Sequence, residues 1–144
     1  MRRAILAVAL LAACALAALP PLSVKELNER ATMIVQAEVV AVETPTTETV
    51  GGDPEFTNVR HTFLVKPLVT VKKDPATWGP TMRVHTWAVG SRPRGWTGPS
   101  GHRNRPAAKG DVRVFYLNVL DGKLVPIEPN GIMDSSVLSD HEEL

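Results

Sequence analysis

The chain has 144 residues, of which 44% are hydrophobic and 22% charged, a balance that fits one globular domain and excludes wholesale disorder. Its formal net charge is +1 with 16 basic and 15 acidic residues, and loss of Arg2 and Arg3 in a cleaved leader would bring the body near −1. Nothing in that balance supplies the global basic field that nucleic-acid binding needs. The single cysteine, Cys14, leaves no disulfide and no thiolate metal site in the body.

Met1-Arg2-Arg3 is a positive n-region, and Ala4 to Leu19 is an unbroken apolar h-region closed by Pro20-Pro21. This is the pattern of a secretory signal, somewhat short for a spanning helix. Ala15-Leu16-Ala17 offers a small-residue cleavage site. The expected organisation is therefore a signal peptide over 1–17, a domain over 18–131 and an acidic tail over 132–144. An export signal places the protein in the periplasm or outside the cell. A competing reading takes Leu11-Ala12-Ala13-Cys14 as a bacterial lipobox, with Cys14 lipidated and the protein anchored. The short h-region before it and the apolar Ala-Leu-Ala-Ala-Leu after it favour the ordinary signal.

Ser23-Val24-Lys25-Glu26 has capping-box form and predicts a short helix over 24–31. Met33 to Glu43 is β-rich, with positions 33, 35, 37, 39 and 41 forming one apolar face. Thr44 to Pro54 carries Pro and Gly-Gly and is expected as a flexible turn. Thr57 to Lys73 alternates, setting Val59, Phe63, Val65, Val69 and Val71 against Asn58, Arg60, Thr62, Lys66, Thr70 and Lys72. Pro67 predicts a bulge or a sheet edge there. Thr81 to Val89 is a third strand, with His85, Trp87 and Val89 on one side. Val112 to Leu120 is apolar on both faces and so is expected to be central. Asp121-Gly122 is a two-residue hairpin signal that returns the chain along Lys123 to Ile127.

Five strands and one short N-terminal helix predict a mainly β fold, a small five-stranded antiparallel OB-like barrel. The run M-I-V-Q-A-E-V-V-A-V, the long bent strand, and G-D-V-R-V-F-Y-L before the D-G turn resemble barrels of the netrin-module and metalloproteinase-inhibitor type. They are also similar to small secreted bacterial proteins of that shape. The resemblance covers about residues 24–131. The animal inhibitors begin with a metal-chelating cysteine and are tied by disulfides. A chain cut after Ala17 has neither, so the inhibitor mechanism does not carry over.

The segment with most chemistry is the loop Gly90 to Gly110. It holds Arg92, Arg94, Arg103, Arg105 and Lys109 with no acid before Asp111, and adds Trp96 and His102. Guanidinium forks match carboxylate, phosphate or sulfate oxygens, an indole offers a flat face, and long loops without regular structure are commonly functional. The bland alternative pairs these cations with Glu128, Asp134, Asp140, Glu142 and Glu143 and packs Trp96 as an anchor. G-W-T-G-P-S-G lacks the helix N-terminus that a phosphate loop requires. His61, His85 and His102 have no metal-ligand spacing, and no G-x-S-x-G or paired-carboxylate pattern is present.

The reading is thus an exported binding module without catalytic residues or cofactor. Its expected ligand is anionic: an acidic protein surface of the envelope or outside the cell, a glycan or a phosphate group. The expected contacts are Arg92, Arg94, Trp96, His102, Arg103 and Arg105. An envelope accessory protein that pairs through an edge strand, with Cys14 as its anchor, is the second reading. A histidine-based metal-dependent hydrolase is the third.

Overall fold

The computed structural model describes residues 20–73, 78–96, 104 and 107–138. The leader, its two processing sites and Cys14 lie outside these residues, as do His102, Arg103, Arg105 and the acidic end 139–144. One helix and seven strands are present: α1 Val24–Arg30, β1 Met33–Val42, β2 Thr46–Val50, β3 Asp53–Lys72, β4 Met82–Val89, β5 Val112–Leu120, β6 Lys123–Pro126 and β7 Ile132–Asp134. A 3-10 turn follows at Ser135–Leu138. No described helix is long and apolar enough to cross a membrane.

The capping box forms as its residues dictate. The Ser23 hydroxyl accepts the Glu26 amide at 3.1 Å, and the Glu26 carboxylate accepts the Ser23 amide at 2.8 Å, so two orphan donors are satisfied reciprocally. Those hydrogen bonds hold the Glu26 carboxyl below its usual range, and Arg30 one turn on adds to the effect.

The strands join in the order β1-β3-β4-β6-β5-β7, and β1 also pairs with β5, so five strands close a ring. All five are strands read from the sequence; the sheet as a whole differs from the expectation in three respects. It has seven strands, not five, because Thr46–Val50 hairpins onto β3 and Ile132–Asp134 pairs with β5. The segment expected as a loose turn is thus a hairpin whose tip, Gly51-Gly52, supplies the positive φ of 62° and 77° that glycine adopts without strain. The segment expected as the start of a loose tail is sheet and 3-10 turn, with Val137 buried. The third difference is that the sheet is not wholly antiparallel. β4 and β6 run parallel and share a single register pair, Val84 with Leu124.

The hydrophobic residues fall into two layers. Met33, Val35, Ala37 and Val39 of β1 meet Phe63, Val65, Met82, Val84, Phe115, Leu117 and Leu124 in one cluster. The alternate residues Ile34, Val114 and Tyr116 meet Leu27, Ala31, Ile127 and Val137 in a second cluster under α1. Successive strand side chains point to opposite faces, so β1 and β5 serve both layers, which is why β5 reads as apolar throughout. The two ends of the described chain meet in the second layer. Leu22 and Leu138 both pack on it, and the Asn130 side chain exchanges two hydrogen bonds of 2.9 Å with the Leu22 backbone.

The pairing of β3 is irregular beside Pro67, as a bulge there would make it. Register shifts interrupt its pairing with β1 at three points, one of them beside the Ala37–Pro67 pair. Its pairing with β4 ends at Val65. Val69 and Val71, expected on the buried side with Phe63 and Val65, are consequently exposed, together with Leu68. At the other end of the ring, Asp121 and Gly122 both have positive φ, 52° and 74°, the geometry of the tight turn that the D-G pair announces.

Candidate ligand-binding site

A cleft among the described residues has a volume of about 820 Å³, within the range of about 300–1,000 Å³ usual for small-ligand sites. It lies where the sheet is weakest. β4 and β6 are in register only at Val84–Leu124, and Pro126, two residues on, has no N–H to offer a ladder. One bank carries His85, Thr86 and Trp87 of β4, and the other Val125, Pro126, Ile127 and Glu128.

Pairing register assembles the rest. Arg60 stands directly opposite Trp87, and Thr62 opposite His85. Directly opposed residues share a face, so Arg60, Trp87 and His85 stand on one side of the β3–β4 pair. Glu48 of β2 reaches the Arg60 Nε at 2.8 Å. Asn118 of β5 and Arg30 at the end of α1 complete the far side. The Trp87 Nε1 donates to a Glu128 Oε1 at 2.5 Å, and Thr62 Oγ1 lies 3.2 Å from His85 Nδ1.

The electrostatics of the floor are read by His85. Burial is the largest cause that lowers its pKa, followed by the positive charges of Lys123, Arg83 and Arg60. Three cations therefore disfavour a fourth, although Arg83 pairs with Glu43 and Arg60 with Glu48. Thr86 adds an unusual feature. It is 4% exposed, and its Oγ1 is a buried side-chain atom without a hydrogen-bond partner among the described residues. By the alternation of β4 its side chain lies with Met82 and Val84 on the buried face, away from His85 and Trp87.

The described part of the Arg/Trp loop is fastened to residues that line this cleft. Arg92 donates to Thr57 O at 2.6 Å, to Ser91 O at 2.8 Å and to the Asn58 Oδ1 at 3.0 Å, and its guanidinium lies over the Phe56 ring at 5.8 Å. Asn58 lines the cleft. At the loop's other end the buried Asn104 donates to Ile127 O at 3.0 Å and accepts the Ile132 amide at 3.0 Å. Ile127 also lines the cleft. Arg92 is thus a brace whose donors face its own chain. Arg94 and Trp96 are exposed, and Trp96 is 46% accessible while standing edge-on to Phe56 at 5.0 Å. Of the acidic partners proposed for the loop cations, Glu128 takes the Trp87 indole and Asp134 pairs with Arg113.

The two described histidines, His61 and His85, do not converge. His61 is paired with Thr86 and His85 with Thr62, neighbours in register whose side chains point to opposite faces. His61 stacks on Phe63 at 6.3 Å, and burial lowers its pKa. Among the described residues no three His, Cys, Asp or Glu side chains gather as a metal site would require.

Sequence reasoning missed the cleft because its residues come from five separate strands and a helix end. The one signal within reach was the side assignment that put His85 and Trp87 together on the polar face of the third strand. The chain matches no protein-family model, and no curated protein or solved structure matches it either.

Proposed function

We propose that the chain is an exported, non-catalytic binding module on an OB-like barrel, and that its anionic ligand lies in the β4–β6 cleft and is also met by the Arg/Trp loop. The observation that carries this reading is a cleft in which Arg30 and Arg60 stand beside the half-buried His85 and Trp87. Support for the OB-like frame comes from strand order. Numbering only the ring strands, the order is 1-2-3-5-4 with strand 4 returning to strand 1 and strands 3 and 5 parallel. OB barrels bind ligands on the face of strands 2 and 3, here β3 and β4, which carry Arg60, His85 and Trp87. The loop, fastened through Arg92 to Asn58 and through Asn104 to Ile127, leaves Arg94 and Trp96 exposed.

The test uses two anionic probes, hexaglutamate and tetragalacturonate, titrated calorimetrically. Affinity should fall about tenfold or more between about 50 and about 300 mM salt, since screening acts on exposed charges. Arg60→Ala and Arg94→Ala should each weaken binding about three- to tenfold with unchanged thermal stability. Arg92→Ala should instead lower the melting temperature, because three hydrogen bonds from a charged group are lost. A salt-independent affinity, or wild-type affinity in both Arg60→Ala and Arg94→Ala, rejects the reading.

A further inference from the structure

The cleft contains groups that a simple anion does not need. Glu48 and Glu128 border it, and a carboxylate repels a bare anion while accepting hydrogen bonds from any ligand that can donate them. Asn118 adds an amide whose Oδ1 already accepts the Thr32 backbone amide at 2.9 Å, which turns its NH2 into the group left for other partners. Trp87 adds a flat indole directly opposite the Arg60 guanidinium. Cations, acceptor carboxylates, an amide and an indole in one cleft call for a ligand that is negatively charged, rich in hydroxyl donors and bounded by a C–H face.

We infer that the ligand is an acidic saccharide, a sugar ring bearing a carboxylate or sulfate, whose charge meets Arg60 while its hydroxyls donate to Glu48 and Glu128. This inference rests on the anion-binding reading above and narrows it. The indole of Trp87 receives the ring's C–H face, as aromatic side chains receive apolar surface while their polar edge stays bonded.

The discriminating variant is Glu128→Gln. The amide keeps an oxygen to accept the Trp87 indole but removes the negative charge. A ligand that is only an anion should bind the variant more tightly; a ligand that donates hydroxyls to the carboxylate should bind it more weakly, since hydrogen bonds to charged groups are the stronger ones. Tetragalacturonate, monomeric galacturonate, hexaglutamate and cellotetraose are titrated against wild type and variant. The expected result is that tetragalacturonate binds about tenfold tighter than hexaglutamate or cellotetraose, and that Glu128→Gln weakens it about threefold or more while hexaglutamate is unchanged or improved. Parity of monomer and tetramer per binding site would identify a free sugar acid as the source, and a tetramer advantage would identify a polymer; either supports the inference. Equal binding of hexaglutamate and tetragalacturonate, or tightening of both by Glu128→Gln, overturns it in favour of an acidic protein segment and leaves the anion cleft standing. Absence of binding by both anions rejects the cleft reading and this inference together.

Discussion

Arg92 and His85 show how one residue type can be diverted from the role its sequence context suggests. Arg92 sits in the most basic loop of the chain, yet its guanidinium is committed to Thr57, Ser91 and Asn58. His85 is polar, half-buried and surrounded by cations, so the folded chain favours its neutral form. His61 is shifted the same way by burial. In both cases the folded state binds protons less readily than the unfolded chain, whose histidines titrate near 6.5. Stability is then fully present above that value and declines as pH falls below it toward the lowered folded values. The melting temperature should therefore drop between about pH 7.5 and about pH 5.5, above the range where carboxylates titrate. The variant His61→Gln/His85→Gln should flatten that slope. An equally steep slope in the double variant would assign it to other groups.

The outer half of β3 carries exposed apolar side chains. From Lys66 to Lys72 it pairs with β1 but has no β4 register, and Leu68, Val69 and Val71 are exposed there. A free strand edge with apolar side chains is a template for self-pairing. The chain places Lys66, Pro67 and Lys73 along this edge, and Lys72 reaches back to the Asn28 carbonyl at 3.0 Å. Charge and the missing proline N–H are the two common ways of blunting an edge. Pro67→Val restores a donor and extends the apolar run. It should shift the protein to larger species than wild type at about 100 µM in sedimentation velocity, with little change in β content. A variant that sediments as wild type does at that concentration would mean that the edge is not what limits association.

Across the molecule, periodicity revealed each ring strand but not how they close. The alternation of β1 and the double-sided apolarity of β5 were legible because burial acts on every second residue of a strand. The closing pairs, such as Val35 with Phe115, join segments about eighty residues apart, and no local pattern encodes such a partner. β2 was hidden because all five of its residues are exposed, so the alternation that signals a strand is absent. β7 was hidden because three residues are too few to show a period. The cleft was illegible for the same reason as the closure. Arg60, Trp87, Asn118 and Glu128 become neighbours only through register, whereas the basic loop is contiguous and announces itself.

The joined ends of the second layer carry a different implication. Leu22 and Leu138 pack on one cluster, and Asn130 bonds to Leu22 in both directions. The order in which the chain visits the strands is then separable from the shape they make. Circular permutation exploits this property, since nearby ends can be spliced and new ones opened at an exposed turn. Gly51-Gly52 is such a turn, with open space around both residues. A permutant that links Leu138 to Leu22 through about six to eight glycine and serine residues and begins at Gly52 should fold to the same β content and bind the same probe with wild-type affinity. Failure of that permutant to fold would show that the β2–β3 hairpin must form as an unbroken unit. Success would mean that the new ends, at the tip of the hairpin that carries Glu48 and Arg60, are a place to attach a reporter beside the cleft.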